Sequence, residues 1–329
     1  MLMVLGASSF SGDSFILNCL NSGVDVLGVG RTDNRGTPFS SILSRRTNFS
    51  SELFYFQYDI NHHLSEIVAL ARKYQVNQIV NFAAQSMVSQ SWDHPEDWYS
   101  TNVTSLAKLV SELRKLTSIK TFIQFTTPEV YGSTTGWIKE SFSYSPTTPY
   151  AISRAAGDWH LKALFDQFQF PVIFTRAANV YGPHQRLYRI IPRLVYSGIK
   201  GIKVPIHGGG TSIRAFISGD DVSRALSLIL KKGTLGNTYH ISTQEISRIL
   251  DIGVKIAAML NIDAENLMEV APERTGKDFA YQLNSDKIRT ELGWQEKISL
   301  TEGIQNCIDW VNENIDELQI SDLEYSHRK

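Results

Sequence analysis

A chain of 329 residues, 42% hydrophobic and 20% charged, is an ordinary globular protein, long enough for one large domain and a smaller second lobe. Its formal net charge of −1 gives no basic field for nucleic acid or an anionic membrane surface. No run approaches the roughly 20 apolar residues of a membrane span. Cys19 and Cys307 make no disulfide or metal pattern, and the eight histidines show no metal-ligand spacing. With the chain opening directly in an apolar strand, a cytoplasmic setting without metal is expected.

Short apolar runs predict strands over Met3–Leu5, Asp25–Val29, Leu53–Gln57, Gln78–Phe82, Thr121–Phe125 and Val172–Arg176. Between them, helical periodicity predicts Ser14–Asn21, Leu64–Tyr74, Val103–Leu116 and Tyr150–Gln167. This alternation implies an α/β fold, a doubly wound parallel sheet of the Rossmann type. After Asn179 the rhythm breaks into loops rich in Gly and Pro. Helices over Asp220–Lys231, Gln244–Leu260 and Thr301–Asn314 follow. The expected division is a dinucleotide-binding domain over 1–177, rejoined by 215–242, and a C-terminal substrate-binding lobe of 178–214 and 243–318. A polar, frayed tail over 319–329 completes the chain.

The first strand runs into Gly6-Ala7-Ser8-Ser9-Phe10-Ser11-Gly12 and then a helix. Glycines there permit a tight turn and let backbone N–H groups approach a pyrophosphate. Gly6, Ser8, Ser9, Phe10, Ser11 and Gly12 are therefore candidate cofactor contacts, although Ser9 stands where a third glycine would help. The second strand ends in Val29-Gly30-Arg31-Thr32. A carboxylate at this place would bind the adenosine ribose of NAD. An arginine in its stead favours a 2′-phosphate, so NADP is expected, with NAD the alternative. Asp59-Ile60 after the third strand could flank the adenine. Phe82-Ala83-Ala84-Gln85 after the fourth offers small side chains for the cofactor to pass.

The fifth strand delivers Thr126, Thr127 and Glu129 to its C-terminal end. A following helix carries Tyr150 and, one turn later, Arg154. Residues at i and i+4 share a helix face, and a guanidinium beside a phenol favours the phenolate. A phenol so tuned acts as a base near neutral pH. His184 and His207, in loops facing the expected cleft, read as structural.

Four segments resemble the extended short-chain dehydrogenase/reductases that act on nucleotide sugars, and among them the 4,6-dehydratases. They are Asn81–Val88 with Ser91-Trp92 and Thr101-Asn102-Val103, Thr127–Gly132, Asn179-Val180-Tyr181-Gly182-Pro183, and Glu273–Asp278 with Tyr281 and Leu292-Gly293-Trp294. Two positions depart from the family pattern. Arg154 holds the place of a lysine, and Pro128 the place where the dTDP-glucose branch has an aspartate general acid. Arginine keeps the charge, but its planar fork is not interchangeable with an ammonium.

The resemblance implies an internal redox reaction followed by loss of water. Tyr150 would take the proton of the sugar 4-hydroxyl and Thr127 would orient that oxygen, with Arg154 assisting. Glu129 would remove the C5 proton and, lacking an aspartate partner, return it to the departing 6-hydroxyl. Asn102, Thr126 and Ala177 join the cofactor site. Ser86, Met87, Thr127, Asn179, Arg189, Pro205, Arg214, Arg274 and Asp278 form the sugar-nucleotide site. A homodimer through the helices over 103–116 and 150–167 is also implied. A 4-epimerase, a 5,6-dehydratase and a non-catalytic cofactor-binding protein stand as alternatives.

Overall fold

The computed structural model describes residues 1–44, 49–273 and 280–327. Its centre is a parallel sheet of seven strands: β1 (Leu2–Leu5), β2 (Val26–Gly30), β3 (Leu53–Gln57), β4 (Gln78–Asn81), β5 (Thr121–Thr126), β6 (Val172–Ala177) and β7 (Thr238–Ile241). Their spatial order is β7-β6-β5-β4-β1-β2-β3. The order reverses between β1 and β4, and this switch point opens a crevice beyond the carboxyl ends of the strands.

Helices α1 (Phe10–Asn21), α2 (Leu64–Lys73), α3 (Leu106–Leu113) and α4 (Pro149–Phe168) flank the sheet. Helix α5 (Ile190–Lys200) enters the second lobe, α6 (Gly219–Lys232) returns to the sheet, and α7 (Ile249–Met259) and α8 (Leu300–Glu313) complete the lobe. Strand β1 must be apolar on both sides because both faces are covered. Leu2 and Val4 pack with Phe15 and Ile16 of α1 and Val222 and Leu226 of α6. Met3 and Leu5 pack with Ile67 of α2, Leu109 of α3 and Leu161 of α4. A separate core in the second lobe joins Leu194 of α5, Ile256 of α7 and Ile304 of α8.

Several elements differ from expectation. Helix α1 begins earlier, at Phe10, because Ser9 caps it. The helix expected over Val103–Leu116 is α3 preceded by a π-helical turn, Ser100–Ser105. Gln244–Leu260 is not one helix. Ile246–Arg248 is a strand paired antiparallel with β-residues Ile213–Ala215, and α7 follows it. Helix α5 forms inside the Gly/Pro-rich stretch, with Pro192 in its first turn, where no intrahelical N–H bond is lost. The described part of the tail, residues 319–327, is packed against the protein and not frayed. Leu318 and Leu323 are buried in the second-lobe core, joined by a 3₁₀ turn over Ile320–Leu323. Among the described residues, no helix is long and apolar enough to cross a membrane.

Candidate active site

A cavity of about 1040 Å³ lies along the carboxyl ends of the strands and reaches into the second lobe. That is at the upper end of the ~300–1,000 Å³ usual for one ligand, which leaves room for a dinucleotide and a second molecule. Its floor is the turn from β1 to α1. Gly6 has φ +76°, and a Cβ there would stand 2.6 Å from the Ala83 nitrogen. A Cβ on Gly12 would stand 2.3 Å from the Gly6 carbonyl oxygen. Ser9 explains its departure from glycine: its hydroxyl donates to the Gly6 carbonyl at 2.7 Å and accepts from the Gly12 N–H at 3.1 Å. Gly6, Ser8, Ser9, Phe10 and Ser11 line the cavity, while Gly12 supports the turn from below. A capped helix N-terminus over a tight glycine turn fits a pyrophosphate.

Arg31 lines the far end together with Asp59 and Ile60. Its Nε stands 3.9 Å from an Asp59 carboxylate oxygen, so the cation has an acidic neighbour within the cavity itself. This weakens the expectation of a 2′-phosphate site, because any phosphate there would also face Asp59. Asn34, which sequence reasoning passed over, donates to the Ser8 carbonyl at 2.9 Å and accepts from Arg186 at 3.2 Å.

Phe82, Ala83, Ala84 and Gln85 line the middle of the cavity, as do Thr126 and Ala177. Asn102 is not among the lining residues. It is buried, accepts from the Gln85 N–H at 2.9 Å, and donates to the Gln85 carbonyl at 3.0 Å and to Ser153 at 2.9 Å. The π-helical turn thus holds the β4 loop against α4 through Asn102, while its Thr101 faces the cavity. Unusual helical turns of this kind concentrate at functional sites.

Thr127, Glu129, Tyr150 and Arg154 come together at the ends of β5 and α4, all lining the cavity. Thr127 follows the strand and caps a 3₁₀ turn over Pro128–Tyr131, accepting from the Glu129 N–H at 3.2 Å. Pro128 is the first residue of that turn, where its fixed φ suits the bend. The turn carries Glu129 into the cavity. Across from it, Thr148 caps α4 and places Tyr150 in the first turn.

The phenol of Tyr150 differs from expectation. Burial pushes its pKa above the ordinary value, outweighing the lowering by Arg154, by hydrogen bonding to Thr127 and by Arg189, while Glu129 raises it further. Arg154 does favour the phenolate, but desolvation is the larger effect here. The Arg154 guanidinium donates to the Phe125 carbonyl and lies 3.4 Å from the Thr126 hydroxyl.

One turn beyond Arg154, Asp158 is fully buried and pairs with Arg176 of β6 at 2.9 Å. The Arg176 Cζ also stands 5.1 to 5.6 Å from the ring centres of Tyr131, Phe142 and Tyr144. Burial pushes the Asp158 carboxyl up, against Arg154 and Thr126, and pushes Arg176 down. Asp158→Ala leaves a buried guanidinium without its carboxylate, so denaturant unfolding should show a loss of about 3–5 kcal/mol. Joint replacement of both residues by apolar ones should cost much less.

On the second-lobe side Ser86, Met87, Asn179, Arg189 and Pro205 line the cavity. Arg189 reaches Ser86 at 3.4 Å, and Asn179 accepts from the Tyr281 hydroxyl at 3.0 Å. Arg214 is not among the lining residues. Its guanidinium lies 4.4 Å from the Tyr281 ring centre and supports that wall. Arg274 and Asp278 lie outside the described residues. His184 lines the cavity, bonding the Pro38 carbonyl at 2.7 Å, whereas His207 bonds the Pro272 carbonyl away from it. Sequence reasoning missed Arg186, Tyr188 and Arg193 and the wall formed by Ser321–Ser326. Among the described residues the buried Arg193 Nε has no hydrogen-bond partner.

The family described as GDP-mannose 4,6 dehydratase matches residues 3–307. The chain belongs to this family of nucleotide-sugar dehydratases, within the extended short-chain dehydrogenase/reductases. Within the family it is 33% identical over 246 residues to the dTDP-D-glucose 4,6-dehydratase of Homo sapiens, covering 73% of this chain and 70% of that one. It is 31% identical over 243 residues to a trifunctional UDP-glucose 4,6-dehydratase of Arabidopsis thaliana, covering 73% of this chain. That match spans only 36% of the plant protein, which also carries epimerase and reductase activities. A double mutant of dTDP-glucose 4,6-dehydratase from Streptomyces venezuelae, solved with NAD bound, superposes with a TM-score of 0.88 at 26% identity. The match covers 98% of this chain and 100% of the other.

Proposed function

We propose that the chain is a 4,6-dehydratase converting a nucleoside-diphosphate hexose to its 4-keto-6-deoxy form. The observation that carries this reading is the convergence of Thr127, Glu129 and Tyr150 on one cavity wall, between a dinucleotide cradle and Arg189. A nicotinamide dinucleotide held by Gly6, Ser8, Ser9, Phe10 and Ser11 would supply the redox chemistry, as acceptor of the C4 hydride and its donor to C6. Tyr150 takes the proton of the 4-hydroxyl, and Thr127 orients that oxygen. The 4-ketone so formed acidifies the C5 proton, which Glu129 removes. Glu129 then protonates the leaving 6-hydroxyl, and one water departs with no net oxidation. Arg154 favours the phenolate electrostatically. Arg189 and Asn179 face the ligand's diphosphate.

A 4-epimerase needs no carboxylate at Glu129, which favours dehydration over that rival. The family relatives named for dTDP-glucose and UDP-glucose favour a pyrimidine nucleotide of glucose. We take the cofactor to be NAD and not the NADP expected from Arg31. NAD accompanies the related structures, and Asp59 beside Arg31 opposes a 2′-phosphate. Fluorescence titration should give NAD the tighter binding by about tenfold or more. Half-exposed Ile152 and Trp159 on α4 suit a homodimer through that face. Two buried free cysteines, Cys19 and Cys307, suit a reducing, cytoplasmic setting.

Incubation with dTDP-glucose, UDP-glucose, GDP-mannose and CDP-glucose tests the reading. At least one should give a product lighter by one water with the alkaline absorbance of a 4-ketone. A product of unchanged mass and inverted C4 contradicts it.

A further inference from the structure

The segment after α8 turns back across the cavity and is anchored at both ends. Leu318 and Leu323 are buried in the second-lobe core, and the Tyr196 hydroxyl donates to the Leu318 carbonyl at 3.3 Å. The far anchor lies on the other half of the molecule, at the short helix Pro95–Tyr99. There His327 Nε2 is 2.8 Å from an Asp97 carboxylate oxygen, and its ring stacks 5.0 Å from Trp98 and 5.4 Å from His94. Between the anchors Ser321, Asp322, Glu324, Tyr325 and Ser326 line the cavity.

We propose that residues 318–327 form a strap completing the substrate site, in which Tyr325 and Tyr188 wall the hexose-diphosphate end of the ligand. This rests on the nucleotide-sugar reading above. The two rings meet edge to face at 5.3 Å, and both line the cavity. Tyr188 precedes Arg189, which reaches Ser86, and the Ser86–Ser89 stretch leads on to the helix that receives His327. Through Tyr188, Tyr325 is tied to the Ser86 and Arg189 side of the cavity. Five of its residues line the cavity, so the strap borders the ligand space as well as joining the two halves of the molecule. Rigid aromatic walls contribute contact area at small entropic cost and exclude water from the groups they cover.

Calorimetric titration of the NAD-loaded protein with dTDP-glucose, UDP-glucose and GDP-mannose tests the strap. Tyr325→Ala and His327→Ala should each weaken binding of the accepted sugar nucleotide about tenfold, while Tyr325→Phe stays within about twofold of wild type. NAD affinity should not change in any of them. Unchanged sugar-nucleotide affinity in both alanine variants overturns the strap, whatever happens to the melting temperature. An equal loss of NAD affinity marks a general structural role and also overturns it. Failure of the wild type to bind any of the three ligands overturns the functional reading on which the strap rests.

Discussion

Glu129→Gln should lower formation of the dehydrated product by about 10³-fold while the bound cofactor still becomes reduced when substrate is added. The expected loss is within the ~10²–10⁴-fold that a positioned acid or base contributes. On the proposed mechanism the split arises because C4 oxidation needs Tyr150 and Thr127, whereas C5 deprotonation and loss of water need a carboxylate. Pro128 offers no ionisable group, so the proposed mechanism has Glu129 both take the proton and return it. The turn geometry suits this double duty, with the Thr127 cap and Pro128 fixing the backbone that presents Glu129. Stopped-flow absorbance of the reduced nicotinamide, followed by product mass, separates the two steps. Full turnover by the glutamine variant would remove Glu129 from the mechanism.

Tyr150→Phe should abolish both steps, with turnover lower by about 10³–10⁴-fold and no reduced cofactor accumulating. Its pH behaviour has a definite sign. Burial raises the phenol, and Arg154, Thr127 and Arg189 lower it, so the wild-type rate should climb with pH as the phenolate forms. Arg154→Ala removes a group that favours the phenolate, and this ascending limb should move to higher pH. Arg154→Lys keeps the charge and should leave the limb near its wild-type position. Glu129 raises the phenol, so in Glu129→Gln the limb for cofactor reduction should move to lower pH. These shifts are read from rate profiles of cofactor reduction. An unmoved limb in Arg154→Ala would show that Arg154 does not tune Tyr150.

Much of the sheet was legible because its strands are apolar runs, those of β1 and β2 buried throughout and that of the edge strand β3 half-buried. The run Leu53–Gln57 is itself a strand, and five other expected strands fall within one residue at each end. Strand β7 was not legible, since its Thr-Tyr-His-Ile run is short and half polar. Its buried His240 is satisfied from distant chain, by the Tyr131 hydroxyl at 2.9 Å and the Asn284 carbonyl at 3.1 Å. The sign of the Tyr150 shift was equally hidden. Helical spacing reveals the Arg154 neighbour, but not how completely the phenol is enclosed. The strap was invisible for a related reason. Leu318, Leu323, Tyr325 and His327 have no common period, and their partners Tyr188, Asp97 and Trp98 lie far away in sequence. Residues that contact the cavity through local motifs could be read, whereas those brought in by tertiary packing, such as Arg193 and Tyr325, could not.

The central claim is that one enzyme oxidises C4, expels water from C5 and C6, and reduces C6 with the hydrogen it took. Deuterium at C4 of the accepted nucleotide hexose tests this most directly. Mass spectrometry and deuterium NMR should show the label at C6 of a product one water lighter. Label retained at C4 in a product of unchanged mass would contradict the account and leave an epimerase in its place.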